Sequence, residues 1–552
     1  MPTPTDEQQA AIDGFATGRN ITIEAAAGAG KTSTLRFLAD VNPSRSGLYI
    51  AFNKSVQLEA ETKFAGTSIQ ARTAHSLAFR ALDADLRHKL NDKAKMRSAE
   101  QAEIIGLRHH LAAGRDADNL VRQGVAMRLV RDTIKAFCRT SAEEIAPEMV
   151  PVPPAMQLDD ASARDLQEQV YRYARKYWNN ILDPNGRLPF QPDYYVKLWA
   201  MSNPTLPYDY ILLDEAQDSD PSLIQVLAGQ KQAQLVAVGD RSQAIYGWRG
   251  AVDSMDAFDG DVFQLTQSFR FGEAIAEEAN VWLDLLDASL RVRGSDKPSS
   301  VHPSYGRVPE AVLCRSNAGV IGEIINAHKT GVTAAIAGTN RSNAVRALAE
   351  AAQSLIERGY TTHPELDTFK SWKDVQDFAE NDHDGAELQP LVRVIDAYGA
   401  DTIINAIDAC VPVAQAETCI ATVHVAKGLE WRHVRISDDF PIPSLDEFDQ
   451  VEPLTEEAMM TAYVATTRAQ RHLDNTGLEW VRGYRRALQR PEYGPDFQKF
   501  AHAKRSKING NREAGDERSM EQFRGRQGRK SQDSTWSRGR QEQYSTSARY
   551  AS

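Results

Sequence analysis

Cysteine is scarce in this chain: four residues among 552 (Cys138, Cys314, Cys410 and Cys419), none in C-x-x-C spacing. That argues against a disulfide framework, a zinc site or an iron–sulfur cluster, and for a reducing cytosol. Long apolar runs are missing too. No stretch approaches the ~18 apolar residues of a membrane span, and the start, MPTPTDEQQAAIDGF, has no basic segment followed by an apolar one. Neither a signal peptide nor a membrane contact is expected, which places the chain in the cytoplasm, at the nucleoid, or in a host cytoplasm if its source is viral. Excess positive charge is also lacking. A net charge of −11 does not advertise a nucleic-acid binder, although a whole-chain balance can hide a basic groove. Charged residues at 25% and hydrophobic residues at 42% are ordinary for a globular protein, and the length suggests about three or four folding units.

What is present begins with Ile21 to Leu35, ITIEAAAGAGKTSTL. A β-prone run (Ile21 to Ile23) meets a small-residue loop and then a helix-forming segment. Such a loop gathers backbone N–H groups and the positive end of a helix dipole around one spot, which makes a phosphate site. Ala25, Ala26, Ala27, Gly28, Ala29, Gly30, Lys31, Thr32 and Ser33 are the candidate cradle. Lys31 would reach the β- and γ-phosphates of a nucleoside triphosphate, and the Thr32 hydroxyl would bind Mg²⁺. The usual first glycine of G-x-x-x-x-G-K-[ST] is Ala25 here.

Before the loop, PTDEQQAAI reads as a helix capped by Thr5 or Asp6, and Gln8 could instead read an adenine edge with its paired donor and acceptor. After it, Gly47 to Ser55 reads as a strand running into polar residues, and Thr67 to Phe79 as another, ending at Thr73 to Ser76. Phe52, Asn53, Lys54 and His75 at those ends could stack on bases and bond backbone phosphates, or be core aromatics and polar strand ends. Residues 81–204 change to helical spacing and read as an insertion. In it Tyr171, Tyr173, Arg175, Lys176, Tyr177 and Trp178 form either a DNA-contacting patch or a core stripe.

The run YDYILLDEAQ reads as a buried strand with Asp214 and Glu215 at its carboxyl end, where a parallel sheet faces its ligand crevice. Asp214 could hold Mg²⁺, and Glu215 could orient and deprotonate an attacking water. QLVAVGD is the next strand. It leads to Gln243, placed to sense a γ-phosphate, and to Tyr246, Trp248 and Arg249, two stacking rings and a guanidinium. A second α/β region is read from Phe263 onward. Arg270 is a candidate arginine finger and Phe269 a candidate adenine stacker. Two more strands, Ala311 to Asn317 and Thr333 to Asn340, precede a charged helical segment at 341–415. Glu417 to Phe440 reads as two strands flanking His424, Lys427, Gly428 and Glu430, and Arg468 is read at the start of a helix as a second finger. Residues 501–552 carry twelve Lys and Arg against six Asp and Glu, so the remainder of the chain bears −17. This basic tail is expected to be disordered, either adding nonspecific nucleic-acid affinity or passive.

Taken in order, TDEQ, AAAGAGKT, AFNK, TAHS, LLDEAQD, VGDRSQAIYGWRGA, QSFR, LCRSN, TVHVAKGLEW and YVATTRA closely resemble superfamily 1A helicases of the UvrD/Rep/PcrA type. AFNKS and HVAKGLEW followed by SDDF point within that family to the F-box DNA helicase branch, with no F-box expected in these residues. The resemblance implies an α/β fold with two RecA-like P-loop NTPase domains, each a parallel sheet carrying a mainly helical insertion. Its boundaries would be 1–80 plus 205–258 for an ATP-binding domain 1A, 81–204 for insertion 1B, 259–340 plus 416–500 for domain 2A, 341–415 for a reduced insertion 2B, and 501–552 for the tail.

The same resemblance implies ATP and Mg²⁺ as ligands. Gln8 and Phe269 would meet adenine. Lys31 and Thr32 would meet the triphosphate and Mg²⁺, Asp214 Mg²⁺, and Glu215 the water. Gln243, Arg270 and Arg468 would meet the γ-phosphate, and Glu430, with Gly428 beside it, the ribose. Phe52, Asn53, Lys54, His75, Tyr246, Trp248, Arg249 and His424 would lie along single-stranded DNA. The implied activity is an ATP-dependent helicase moving 3′→5′, binding single strands and single-strand/duplex junctions, in repair, recombination or replication, with the tail a candidate contact for a loader or for replication or repair proteins. A translocase that strips proteins from DNA, a regulatory DNA-dependent ATPase and a RecD-like 5′→3′ enzyme are the alternatives. QSFR in place of the commoner N-Y-R leaves Phe269 without a hydroxyl. The segment at Asn53 and Lys54 is a residue shorter than the familiar T-F-T-N-K, and the 341–415 insertion is short for a 2B domain.

Overall fold

The computed structural model describes residues 3–504 and 506, except 91–95, 108, 113–119, 153–155, 157, 248–253, 362, 364–365, 367–368, 382–387, 447–449 and 505. Trp248 and Arg249, and most of the basic tail, lie outside the described residues. The strands in chain order are β1 Ile21–Ala25, β2 Gly47–Ala51, β3 Ile69–Thr73, β4 Leu111–Ala112, β5 Leu120–Val121, β6 Tyr210–Asp214, β7 Gln234–Gly239, β8 Asp261–Leu265, β9 Gln267–Gly272, β10 Arg293–Ser295, β11 Ser300–Val301, β12 Ala311–Cys314, β13 Ala334–Ile336, β14 Thr418–Thr422, β15 Trp431–Ile436 and β16 Ala469–Asp474.

Two six-stranded sheets result, ordered β3-β2-β6-β7-β1-β8 and β11-β16-β15-β12-β14-β13. Every pairing in both is parallel. The sequence explains this: YILLD, QLVAVG, AVLC and TCIAT are buried at every position, as strands covered on both faces by crossover helices must be. The α/β class with two parallel sheets is therefore as the sequence implied.

Three local readings change. The strand β8 pairs in parallel with β1 and forms the edge of the first sheet, so the boundary read at 258/259 falls one strand early. Alternation alone cannot say which sheet an edge strand joins. The stretch after Thr73 is helical: Thr73 caps a helix over Ala74–Ala81 through a capping box with Ser76, so His75 lies in its first turn and not on a strand. Arg468 follows the end of the helix Glu456–Thr466 and precedes β16; it does not start a helix.

Between β3 and β6 the chain is mostly helical, with an antiparallel β4–β5 pair. Leu166, Val170, Ala174, Tyr177 and Ile181 recur at helical spacing along Asp160–Leu182 and share one core with Leu48 and Ile50 of β2 and Ile211 and Leu213 of β6. Tyr177 and Trp178 of the basic and aromatic patch are thus core residues. Arg175 and Lys176 instead lie over the half-buried rings of Tyr171 and Tyr173, at 5.8 and 5.0 Å. Helices Thr339–Arg358, Trp372–Asn381, Gln389–Tyr398 and Ala400–Asp408 occupy the interval between β13 and β14.

The chain divides into two compact units. The larger comprises residues 1–395, 400–440 and 453–479 and holds both six-stranded sheets; the smaller comprises 396–399, 441–452 and 480–552. In the smaller unit Leu445 and Val451 form an antiparallel bridge, and Tyr484 packs its ring on Trp480 and Phe497. Among the described residues no helix is long and apolar enough to cross a membrane.

Candidate active site

Strand β1 ends at Ala25, and the buried Ala26, Ala27 and Ala29 pack the loop that follows against the fold. Gly28 and Gly30 both adopt left-handed φ, 75° and 79°, which a side chain would strain. A Cβ on Gly28 would also lie 2.6 Å from Cβ of Arg270. The helix Lys31–Val41 then starts with Gly30 as a cap that offers no side-chain acceptor, leaving its first N–H groups for a ligand. Thr32 is half-buried in that first turn and Ser33 is exposed. Lys31 Nζ meets Glu215 Oε2 at 2.8 Å.

The carboxylates come from β6 and the turn after it. Asp214 is buried and accepts a hydrogen bond from the Tyr49 hydroxyl. Burial, then the like charge of Glu215, pushes its pKa up. Glu215 follows in the left-handed region at φ 53°, a strained backbone for a residue with a side chain. Burial opposes its charge, but Lys31 and Lys427 outweigh that and hold its carboxyl well below the usual range. Lys31 behaves reciprocally: burial disfavours its charge, and Glu215 and Asp214 more than restore it.

Cations reach the same place from β9, which pairs with β10 in a separate two-stranded sheet, and from the turn before β16 of the second six-stranded sheet. Arg270 on β9 pairs with Glu430 Oε2 at 2.5 Å and donates to Thr467 O at 2.9 Å, while Gln470 holds the other Glu430 oxygen at 2.7 Å. Arg468 is buried, 2% exposed, and donates to Gln243 Oε1 at 3.0 Å and to Val464 O at 3.0 Å. No carboxylate lies within ion-pair distance of it among the described residues. Burial and then the neighbouring Arg270 lower its pKa to about 9. Gln243 in turn donates to Asp240 Oδ2 at 2.6 Å.

Gln8 and the exposed ring of Phe269 both approach Gly30: a Cβ there would lie 3.3 Å from Gln8 Nε2 and 3.5 Å from Phe269. The Gln8 amide closes the capping box with Thr5 and donates to Thr34 Oγ1 at 3.0 Å. Gly428 and Glu430 sit on the exposed turn between the helix Val423–Ala426 and β15. An open helix N-terminus, a lysine, a hydroxyl, two carboxylates of opposite pKa shift and two guanidiniums form a donor set that fits a nucleoside triphosphate with Mg²⁺.

The proposed strand contacts also converge, from 52, 246 and 424. Phe52, 42% exposed after β2, stacks on Tyr246 with centroids 5.5 Å apart and planes at 16°. The Tyr246 hydroxyl donates to His424 O at 2.9 Å, and the rings of Tyr246 and His424 lie 6.0 Å apart. His75 stands apart from this stack, 3.7 Å from Asp193 and edge-on to Tyr195. Asn53 uses its side chain to cap the helix Lys54–Lys63, and Lys54 donates to Gln57 at 3.3 Å, so both have a local structural use.

Sequence reading passed over two residues here, Tyr463 and Asp218, and gave Lys427 no role. The hydroxyl of buried Tyr463 donates to Asp240 Oδ2 at 3.1 Å and accepts from the Ala27 N–H at 3.4 Å, tying the second sheet to the phosphate loop. Asp218 forms a buried ion pair with Lys427, which also donates to Gln243 O at 2.5 Å and lies 5.2 Å above the Tyr246 ring. The signal for Asp218 was its place in DEAQD, one helical turn beyond the acidic pair; nothing in the helix Glu456–Thr466 singles out Tyr463.

Residues 4–261 match the UvrD/REP helicase N-terminal domain, and residues 327–474 match the UvrD-like helicase C-terminal domain. The chain is 27% identical over 500 residues to F-box DNA helicase protein 1 of Schizosaccharomyces pombe, spanning 83% of this chain and 55% of that one. It is 28% identical over 516 residues to F-box DNA helicase 1 of Gallus gallus, spanning 85% and 48%. A shorter match, 33% over 115 residues, covers 18% of this chain and 16% of DNA helicase II of Escherichia coli. The chain thus spans about half the length of the two F-box relatives. With both domain matches in chain order and each taking in most of one parallel sheet, the chain belongs to the UvrD/Rep helicase family.

Proposed function

We propose that this protein is an ATP-driven motor that moves 3′→5′ along single-stranded DNA and unwinds duplex at single-strand/duplex junctions. The observation that carries the reading is the link between the first sheet and the rest of the chain: Lys31, Asp214 and Glu215 from the first sheet are approached by Arg270 of β9, packed on Gly28, and by the buried Arg468 beside β16, through the Gln243–Arg468 hydrogen bond. ATP would seat its phosphates on the loop N–H groups and Lys31, its base between Gln8 and Phe269, and its ribose at Glu430. Thr32 and Asp214 would hold Mg²⁺, which neutralises charge on the β- and γ-phosphates. Lys31 cannot serve two anions fully, so triphosphate binding draws it from Glu215 and leaves that carboxylate free to orient and deprotonate water. Arg270 and Arg468 stabilise the charge that develops on the transferred group.

Strand contact joins this chemistry through one short path. Tyr246, three residues after Gln243, stacks on Phe52, and Lys427 touches both the Gln243 carbonyl and the Tyr246 ring. A base stacked on Phe52 or Tyr246 therefore shifts the groups that sense the γ-phosphate. Unwinding of 3′-tailed against 5′-tailed partial duplexes tests the reading, with Lys31→Ala as the control. ATP-dependent strand separation from the 3′ tail alone, lost in Lys31→Ala with DNA binding retained, is the expected result. DNA-stimulated ATPase without separation from either tail would make the protein a translocase or regulatory ATPase, and separation from the 5′ tail would reverse the polarity.

A further inference from the structure

The outer edge of the second sheet, where β11, β16 and β15 lie side by side, carries a separate concentration of groups suited to nucleic acid. Ser300 is in register with His472, and His472 with His433. The His302 N–H donates to Leu473 O at 3.1 Å, which sets its ring 4.3 Å from that of His472. Arg307 Nη1 lies 3.4 Å from His433 Nε2. Together with Arg471 these side chains line an open cleft of about 530 Å³. Counter-charge is sparse. Glu310 lies 3.7 Å from His433, and Asp474 is occupied by the Ser304 N–H and by Thr476. Neither Arg307 nor Arg471 has a carboxylate within ion-pair distance among the described residues. Burial, then His302, His433 and Arg307, hold His472 below the usual histidine pKa against the pull of Asp474.

An aromatic platform stands beside this charge. Tyr305 is 82% exposed and stacks on His302 with centroids 5.6 Å apart and planes at 24°. It occupies the first corner of a turn closed by the Arg307 N–H to Ser304 O at 3.0 Å, where Tyr305 and Gly306 both have left-handed φ, 47° and 83°. Turns of that kind ordinarily take Asn, Asp or Gly at the first corner, so local folding preference does not account for a tyrosine there. The turn is pinned by the Ser304 N–H to Asp474 at 2.7 Å, and the ring it carries lies against His302, which lines the cleft. A metal is not what the cluster fits: Nδ1 of His302 faces the Pro303 carbonyl at 2.8 Å and Nδ1 of His472 faces the Ser300 hydroxyl at 3.0 Å. Among the described residues no group of three metal-ligating side chains occurs. An exposed ring backed by an imidazole, with two uncompensated guanidiniums near it, matches one base and its flanking phosphates. The elements differ from those of the Phe52–Tyr246–His424 stack, which follow β2, β7 and β14.

We propose that this cleft is a second single-stranded nucleic-acid site, in which a base stacks on Tyr305 while adjacent phosphates bind Arg307 and Arg471. The inference rests on the reading of the protein as a single-stranded DNA motor. It is tested on the full chain by fluorescence anisotropy with oligothymidylates of increasing length, alongside blunt duplex. Tyr305→Asn removes the ring while keeping a residue that tolerates left-handed φ, so folding is preserved. Wild type should gain affinity at a second length step. Tyr305→Asn should lose that step and bind the longest oligomers about tenfold more weakly, with short-oligomer affinity and kcat unchanged. Arg307→Gln with Arg471→Gln should lower the salt slope of long-oligomer binding by about 1.4, two single-strand phosphate contacts. Long-oligomer binding equal to wild type in both variants would overturn the proposal, as would a loss confined to blunt duplex. Absence of DNA-stimulated ATPase in wild type would sink the motor reading alone, since the length step and its loss in Tyr305→Asn are read without ATP.

Discussion

The two sheets are built alike, six parallel strands each, yet they treat a helix N-terminus in opposite ways. After β1 the chain turns through Gly28 and Gly30, and the helix at Lys31 begins with no side-chain acceptor on its first N–H groups. After β12 the helix Asn317–Thr330 begins at Ser316, whose side chain accepts from Gly319, and Asp439 accepts from the N–H groups of Arg315 and Ser316 at 2.8 Å each. One N-terminus is left open for an outside anion and the other is filled by a carboxylate of the chain itself. The second sheet therefore contributes to the candidate cleft through side chains just before its strands, Glu430 and Arg468, beside Arg270 from β9 of the two-stranded β9–β10 sheet. The candidate site is divided: Lys31, Asp214 and Glu215 come from the first sheet and the loop beside it, and Arg468 comes from the second sheet's edge of the cleft with Arg270 of β9 beside it.

If the halves are interdependent, removing either should be nearly as damaging as removing both. Arg468→Ala is expected to lower kcat for ATP by about 10³-fold or more, the scale of a lost arginine finger. Arg468→Lys should recover little, because a lysine cannot reproduce the planar fork that spans Gln243 and the Val464 carbonyl. Steady-state ATPase on single-stranded DNA measures this. An Arg468→Ala enzyme with kcat near wild type would mean that the first sheet carries the chemistry alone.

The first half was far more legible in the sequence than the second, and the reason is local density. The loop residues, Asp214 and Glu215 are each set by their immediate neighbours: a strand, then a turn, then the functional group. The contributions of the second sheet depend on contacts across hundreds of residues. Tyr463 reaches Asp240 and Ala27, and Lys427 reaches Asp218, in pairings that no periodicity encodes. Phe52 read equally as a base contact or a core aromatic; its stacking on Tyr246, and the tilted approach of Tyr246 to His424, join residues that lie far apart in the chain and that no spacing brings together. The same limit explains why β8 was read into the wrong sheet. Its alternation marks a strand, and only the register with β1 shows whose edge it forms. The insertion patch failed differently, since Tyr177 and Trp178 lie on the one face of their helix that its other apolar residues also bury.

A smaller effect sharpens the comparison at the place where the halves touch. Lys427 from the second sheet and Asp218 from the first are a buried pair, with side chains 7% and 1% exposed. Removing one partner leaves a buried charge uncompensated, so Lys427→Met should destabilise the fold by about 3–5 kcal/mol. Adding Asp218→Asn to that variant should restore part of the loss. Denaturant unfolding of the single and double variants gives the coupling. A Lys427→Met change below about 1 kcal/mol would show that the pair is solvated and that the sheets are joined elsewhere, through Tyr463.

The smallest expected effect is a pH dependence that isolates the same contact. Burial raises the Asp218 carboxyl to about 6, with Lys427 opposing the shift, against an ordinary value of 3.8. A carboxyl with a higher pKa folded than unfolded takes up a proton on folding between those two values. Its ionised form therefore costs stability above about 6, and that cost is relieved as pH falls through about 6 and is gone below 3.8. Glu215 has the opposite sign, since its lowered pKa adds stability that is lost only as pH falls below its ordinary 4.5. Between about 5 and about 7 the Asp218 contribution thus stands clear of it. Wild type should gain about 1–2 °C in Tm relative to Asp218→Asn as pH falls across that window, a small change because the unfolding entropy of a chain this long is large. Parallel Tm curves for the two proteins would mean that Lys427 keeps Asp218 ionised throughout, so that the contact between them is held by charge across the whole of that pH window.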